Sequence, residues 1–120
     1  MVHSAESLLP ILWHNLSTSV LVLDEKFIIH YANNSCSELF GLGIKRLIGQ
    51  PLSATFSHHH INIERINQYV LLDGVDCQQH RVDVVFIDNR AATLNLHARR
   101  IQHQNITYIL MECRIDRKST

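Results

Sequence analysis

The chain has 120 residues, 46% hydrophobic and 18% charged, with four Gly and two Pro. That fits one compact domain and excludes a disordered tail, a collagen-like chain and a flexible linker. Eleven Lys and Arg balance eleven Asp and Glu, so the basic excess of a nucleic-acid binder is missing.

No stretch approaches the ~18 apolar residues of a membrane span. The opening MVHSAESLLP lacks the basic start and small-residue cleavage site of a secretory signal. A soluble domain is therefore expected. Cys36, Cys77 and Cys113 are widely spaced and odd in number, which argues for reduced thiols rather than a disulfide framework or zinc ribbon. The nine histidines would carry the net charge toward roughly +8 near pH 5.5. They are read as a titration property, not as a site.

In chain order, Ala5, Leu8, Leu9, Leu12, Trp13 and Leu16 form one stripe of an amphipathic helix, with Pro10 marking its first turn or a kink. The runs Ser19 to Asp24 (SVLVLD) and Phe27 to Ala32 (FIIHYA) read as a hairpin. Asn33-Asn34-Ser35 can cap a short helix ending at Gly41; Ile44 to Ile48 gives another turn of helix, and Ile61 to Leu72 a third helical segment stopped by Asp73-Gly74. The remainder is an antiparallel meander: Val82, Val84 and Phe86 alternate with charged residues, Ala92 to Ala98 alternates strictly, and Ile106 to Ile115 follows.

Helices between two blocks of strands predict an α+β domain built on a five-stranded antiparallel sheet, with short helices between strands 2 and 3 and an N-terminal flanking helix. Residues 1–18 are expected to hold the flanking helix and 19–116 the sheet domain. Residues 117–120 read as the start of a linker to a further region. The first and last strands are apolar on both faces: Val20 and Val22 oppose Leu21 and Leu23, and Ile106, Tyr108 and Leu110 oppose Ile109 and Met111. Something must cover the outer face, and the N-terminal helix is the available cover.

The order and spacing resemble a PAS domain. The residues that carry this are Asp24 ending the first strand, Asn33 after the second, the small helix leading to Gly41, and Ile48-Gly49-Gln50-Pro51-Leu52. SVLVLD, Ile29 to Asn33 and Ile61 to Glu64 more closely resemble the N-terminal sensory domains of nitrogen-regulation histidine kinases, the NtrB family. The resemblance implies a bacterial, cytoplasmic kinase and phosphatase as parent. It would act on the response regulator NtrC under the signal protein PII, and would bind ATP in a kinase domain outside this stretch. No histidine here lies in an H-E-[IL]-K-N-P box, and the ATP-binding glycine boxes are missing, so the stretch itself is not read as an enzyme.

Other sites are weighed against simpler readings. His58-His59-His60 reads as a solvated or capping segment rather than a metal site, because neighbours on a strand alternate faces and on a helix diverge. Relatives that bind haem use a histidine near the long helix, but Ile61 to Leu72 contains none; the cysteine motif of flavin-binding relatives is missing too. No cofactor is expected. Cys77 and Cys113 have no activating neighbour, and no GxSxG, P-loop or HExxH occurs.

The candidate homodimer surface is Leu8, Leu9, Leu12, Trp13 and Leu16, with Trp13 as anchor. A rival reading is a small-ligand or cofactor sensor from another signalling protein or a transcription regulator. Its pocket would be lined by Phe27, Ile29, Tyr31, Phe86 and Leu94.

Overall fold

The structure is a computed structural model. It describes residues 5–117, with side chains described from residue 8 to residue 117. The N-terminal residues 1–4, the Ala5 side chain and residues 118–120 of the expected linker lie outside that description.

Helix α1 spans Ala5–His14 with Pro10 inside it, in the second turn rather than the first. Its end is closed by Asn15, whose amide and side-chain Nδ2 both donate to the Ile11 carbonyl, at 3.1 and 2.7 Å. Strand β1 (Ser19–Leu23) turns at Asp24 into β2 (Ile29–Ala32). The Asp24 carboxylate Oδ1 makes that turn by accepting the amides of Lys26 at 2.8 Å and Ile28 at 3.0 Å. An Asx turn of this kind is why an aspartate ends the strand.

Helix α2 (Asn34–Phe40) stops at Gly41, which adopts φ 70° and donates its amide to Ser37. Helix α3 (Ile44–Leu47) and a 3₁₀ turn (Leu52–Thr55) lead to β3 (Phe56–His59). Helix α4 begins at Ile63, with Asn62 Oδ1 accepting the Arg65 amide. It runs as α-helix to Ile66 and as π-helix over Asn67–Leu72. The meander is β4 (Cys77–Phe86), β5 (Ala91–His103) and β6 (Ile106–Ile115).

All six strands form one antiparallel sheet in the order β2-β1-β6-β5-β4-β3. The sheet thus has six strands where the sequence predicts five. The additional strand, β3, buries only Phe56; His58 and His59 join through their backbones, opposite Val85 and Val84. A strand held by main-chain pairing at a sheet edge leaves little hydrophobic periodicity to read.

The α+β architecture is otherwise as expected, with α2, α3 and α4 contributing to one core on the inner face. Phe40, Leu47, Ile66 and Val70 from the helices lie in the same buried cluster as Leu21, Leu94, Ile109 and Met111 from the sheet. Among the described residues no helix is long and apolar enough to cross a membrane.

Candidate interaction surface and sheet interior

Helix α1 does not bury its apolar face. Leu8, Leu9, Leu12 and Leu16 are 51%, 57%, 57% and 45% exposed, and Trp13 is half-buried. Ile11, which the stripe omitted, is 58% exposed. It lies three residues after Leu8 and so on the same arc of the helix; helical spacing could have found it.

The outer face of β1, β2 and β6 is also apolar. Val22 stands opposite Leu110 of β6 and Tyr31 of β2. Val20, opposite Glu112, is buried yet lies outside the main core cluster.

The joint between α1 and the sheet is fixed by a buried amide. Asn33, fully buried after β2, accepts the Val20 amide on Oδ1 at 3.1 Å and donates from Nδ2 to the Thr18 carbonyl at 2.9 Å. Cys36 Sγ also lies 3.3 Å from the same oxygen. Ser35 adds a hydroxyl bond to the Leu16 carbonyl, 2.5 Å long. The residues leading into β1 are therefore tied to the start of α2.

The five residues expected to line a pocket separate. Ile29, Phe86 and Leu94 are buried in the core, and Phe27 is half-buried against it. Tyr31 is 61% exposed on the outer face, a correction to the expected inward position. A register shift between Val22 and Leu23 inserts an extra residue in β2, so that Val22 faces Tyr31 while Leu23 faces Ile29. Such a bulge breaks the two-residue alternation on which the inward assignment rested.

The interior itself is packed with rings. Phe40, Phe56 and Phe86 lie with mutual centroid distances of 5.5, 5.5 and 5.6 Å, and the Arg90 guanidinium covers Phe86 at 5.2 Å. A groove of about 530 Å³ lies elsewhere, beside the start of β1 and the end of β6, with Ser17, Ser35, Glu38, Arg90, Arg114 and Arg117 in its walls.

All three cysteines are buried and free. Burial pushes the Cys36 thiol up to about 12, against a smaller opposing effect of its contacts with Asn33 and Val20. Burial, then the proximity of Cys36 and Glu112, raises Cys113 as well. Neither thiol is activated.

At the sheet edge, burial and the neighbouring His58 and His60 hold His59 below the usual imidazole range. The Asp24 carboxyl is raised by burial but lowered overall. The His30 ring 2.9 Å from Oδ2 and the Ile28 and Lys26 amides outweigh the burial. Asp24 thus braces both its turn and His30, whose ring meets Tyr108 edge-on at 5.6 Å.

Comparison with known proteins agrees with this architecture. The family model described as the PAS fold matches residues 10–115. The chain is 33% identical over 99 residues to the sensory histidine kinase/phosphatase NtrB of Salmonella typhimurium, covering 82% of this chain and 27% of that protein. It is 30% identical over 101 residues to NtrB of Vibrio alginolyticus, covering 84% of this chain and 28% of that protein. The chain therefore spans about a quarter of the length of these relatives. The crystal structure of the PAS domain of nitrogen regulation protein NR(II) from Vibrio parahaemolyticus superposes with a TM-score of 0.83 at 26% identity, over 95% of this chain and all of that one.

Proposed function

The chain belongs to the PAS family and is homologous to the PAS domains of NtrB kinases, and from that premise we propose that it is the regulatory input module of a nitrogen-sensing two-component histidine kinase. It pairs two subunits and couples their geometry to a kinase core that lies outside this stretch. The parent then acts in the cytoplasm as a kinase and phosphatase on NtrC, under PII, with ATP bound by its kinase domain. The chain itself contributes no phosphoacceptor or nucleotide site to that chemistry.

The observation that carries the pairing is the exposed row Leu8, Leu9, Ile11 and Leu12 on α1, continued by Leu16 just beyond its end. A short helix with its apolar face in water is marginal unless it docks. Burying the exposed half of each side chain contributes about 1 kcal/mol, or roughly 10 kcal/mol across both subunits. Association itself costs an estimated 4–15 kcal/mol, so the dimer is expected to be concentration-dependent.

Register supports the coupling: Ser19, where β1 begins, sits opposite Cys113 near the end of β6. A change in how α1 pairs is therefore delivered next to the strand that leads out of the domain. The ring-filled interior weighs against the rival reading as a small-ligand sensor.

Light scattering over a dilution series tests the pairing. A mass near twice 13.8 kDa is expected at high concentration. Leu12→Ala and Trp13→Ala should each weaken the dimer, by about thirtyfold for a loss of about 1 kcal/mol per subunit. A monomer at every concentration, or a dimer indifferent to both substitutions, would overturn the proposal.

A further inference from the structure

Strand β3 is an edge strand, and the side chain of its His58 converges with that of His60, the residue after the strand. His58 stands opposite Val85 and His59 opposite Val84, and the His60 amide donates to the Asp83 carbonyl at 3.0 Å. The backbone therefore stays extended beside β4 through all three histidines. Residues two apart on extended backbone share a face.

Accordingly, Nε2 of His58 and Nε2 of His60 lie 3.2 Å apart, with ring centroids 4.8 Å from each other. His59 is turned away. Its ring packs against Phe56 at 5.4 Å, and its Nδ1 accepts the Ile61 amide at 3.1 Å.

Two imidazole nitrogens that share one tetrahedral ion, each ~2.0–2.1 Å from it, are separated by about 3.3 Å. The observed spacing fits that geometry without rebuilding either side chain. We propose that His58 and His60 form a two-nitrogen chelate for a borderline divalent transition ion such as Zn(II), Ni(II) or Cu(II).

Imidazole nitrogen selects this class over Mg(II) and Ca(II), which require oxygen ligands. A groove of about 270 Å³ opens beside the pair, walled in part by Asp83, Ala91, Ala92 and Thr93. Asp83 Oδ1 is engaged by the Thr93 hydroxyl at 2.8 Å. Among the described residues no third His, Cys, Asp or Glu completes a cluster. Water therefore takes the remaining positions, and the site is open and exchangeable. An ion held there would tie the sheet edge to the segment entering α4.

Calorimetric titration of the tag-free 120-residue chain with Zn(II) tests the site, with Cu(II) line-broadening of the histidine ring resonances as a second readout. Saturable binding of one ion per chain is expected. His58→Ala and His60→Ala should each weaken it at least about tenfold, the loss typical even of removing a ligand's hydrogen-bond partner. His59→Ala should change it less than about threefold, well inside that loss. Substoichiometric Cu(II) should broaden His58 and His60 first.

Circular dichroism identifies any variant that misfolds, and the broadening pattern of the unaltered chain then decides. No saturable binding, equal loss in His59→Ala, or binding that survives the His58→Ala/His60→Ala double substitution would overturn the proposal. In that case the two rings meet only through a hydrogen bond.

Discussion

Replacing Asn33 with alanine removes the side chain that joins the start of β1 to the start of α2. The asparagine is fully buried, and two backbone groups depend on it: the Val20 amide at 3.1 Å and the Thr18 carbonyl at 2.9 Å. The backbone bond from the Asn33 amide to the Val20 carbonyl, 3.2 Å, survives the substitution. Alanine is too short to reach either stranded group.

Each buried polar group left without a partner costs about 1–3 kcal/mol, and because the bond to the Thr18 carbonyl is only partly buried the pair implies roughly 2–4 kcal/mol, below the full sum. The thiol contact from Cys36 adds little, because S–H is a weak donor. Domains are stable by about 5–15 kcal/mol in total, so the loss is large enough to measure without abolishing the fold. Urea unfolding should show a lower midpoint at an unchanged slope. The exposed neighbour gives the control: Asn34→Ala should fall within about 0.5 kcal/mol of the parent. An Asn33→Ala deficit below about 1 kcal/mol would refute the view that these two bonds pin the joint.

Three further outcomes are expected. Asp24 has a lowered carboxyl pKa; its stabilisation is complete above the unfolded value of about 3.9 and disappears as pH falls through the lower folded value. Asp24→Asn should therefore flatten the acid limb of a stability–pH curve followed by circular dichroism, and an unchanged limb would contradict the assignment. Phe86→Ala, which empties a position in the ring cluster, should cost about 3–5 kcal/mol in thermal or urea unfolding; a loss below about 1 kcal/mol would mean the rings do not hold the core. Cys36, with its thiol pushed up to about 12, should resist a disulfide reagent at pH 8 and react once urea is added, whereas fast native labelling would place the thiol at the surface.

Most of the fold is legible because it follows from burial periodicity. The hairpin, the glycine stop at Gly41 and the strict alternation of β5 all appear where the pattern puts them. What escapes is set by backbone geometry. The bulge that turns Tyr31 outward changes register without changing composition. Another irregularity, between Gln79 and Val82, includes Arg81 at φ 56° and lets β4 start at Cys77, earlier than the alternation from Val82 suggests.

Strand β3 hides because its histidines carry no apolar signal, and the convergence of His58 and His60 is visible only once the backbone is known to be extended. Asn33 and Asp24 stand out in the sequence as family-like positions, but their reason is tertiary. One fixes a joint thirteen residues back, at Val20, and the other folds a turn over its own strand end. The apolar residues of α1 are plain from spacing; that they remain in water is not, since periodicity locates a face without saying what lies against it.

The pairing of β1 with β6 has a mechanical consequence. They are antiparallel neighbours, with Ser19 opposite Cys113 and Leu23 opposite Ile109, so the chain enters and leaves the sheet at one end of the same pair. Tension between those two ends would act across the ladder rather than along it, loading the outermost hydrogen bonds first and opening them in succession. The domain should therefore yield to a pull by unzipping at low force. A tug on its ends would part β1 from β6 before it disturbed β3 and β4 at the far edge.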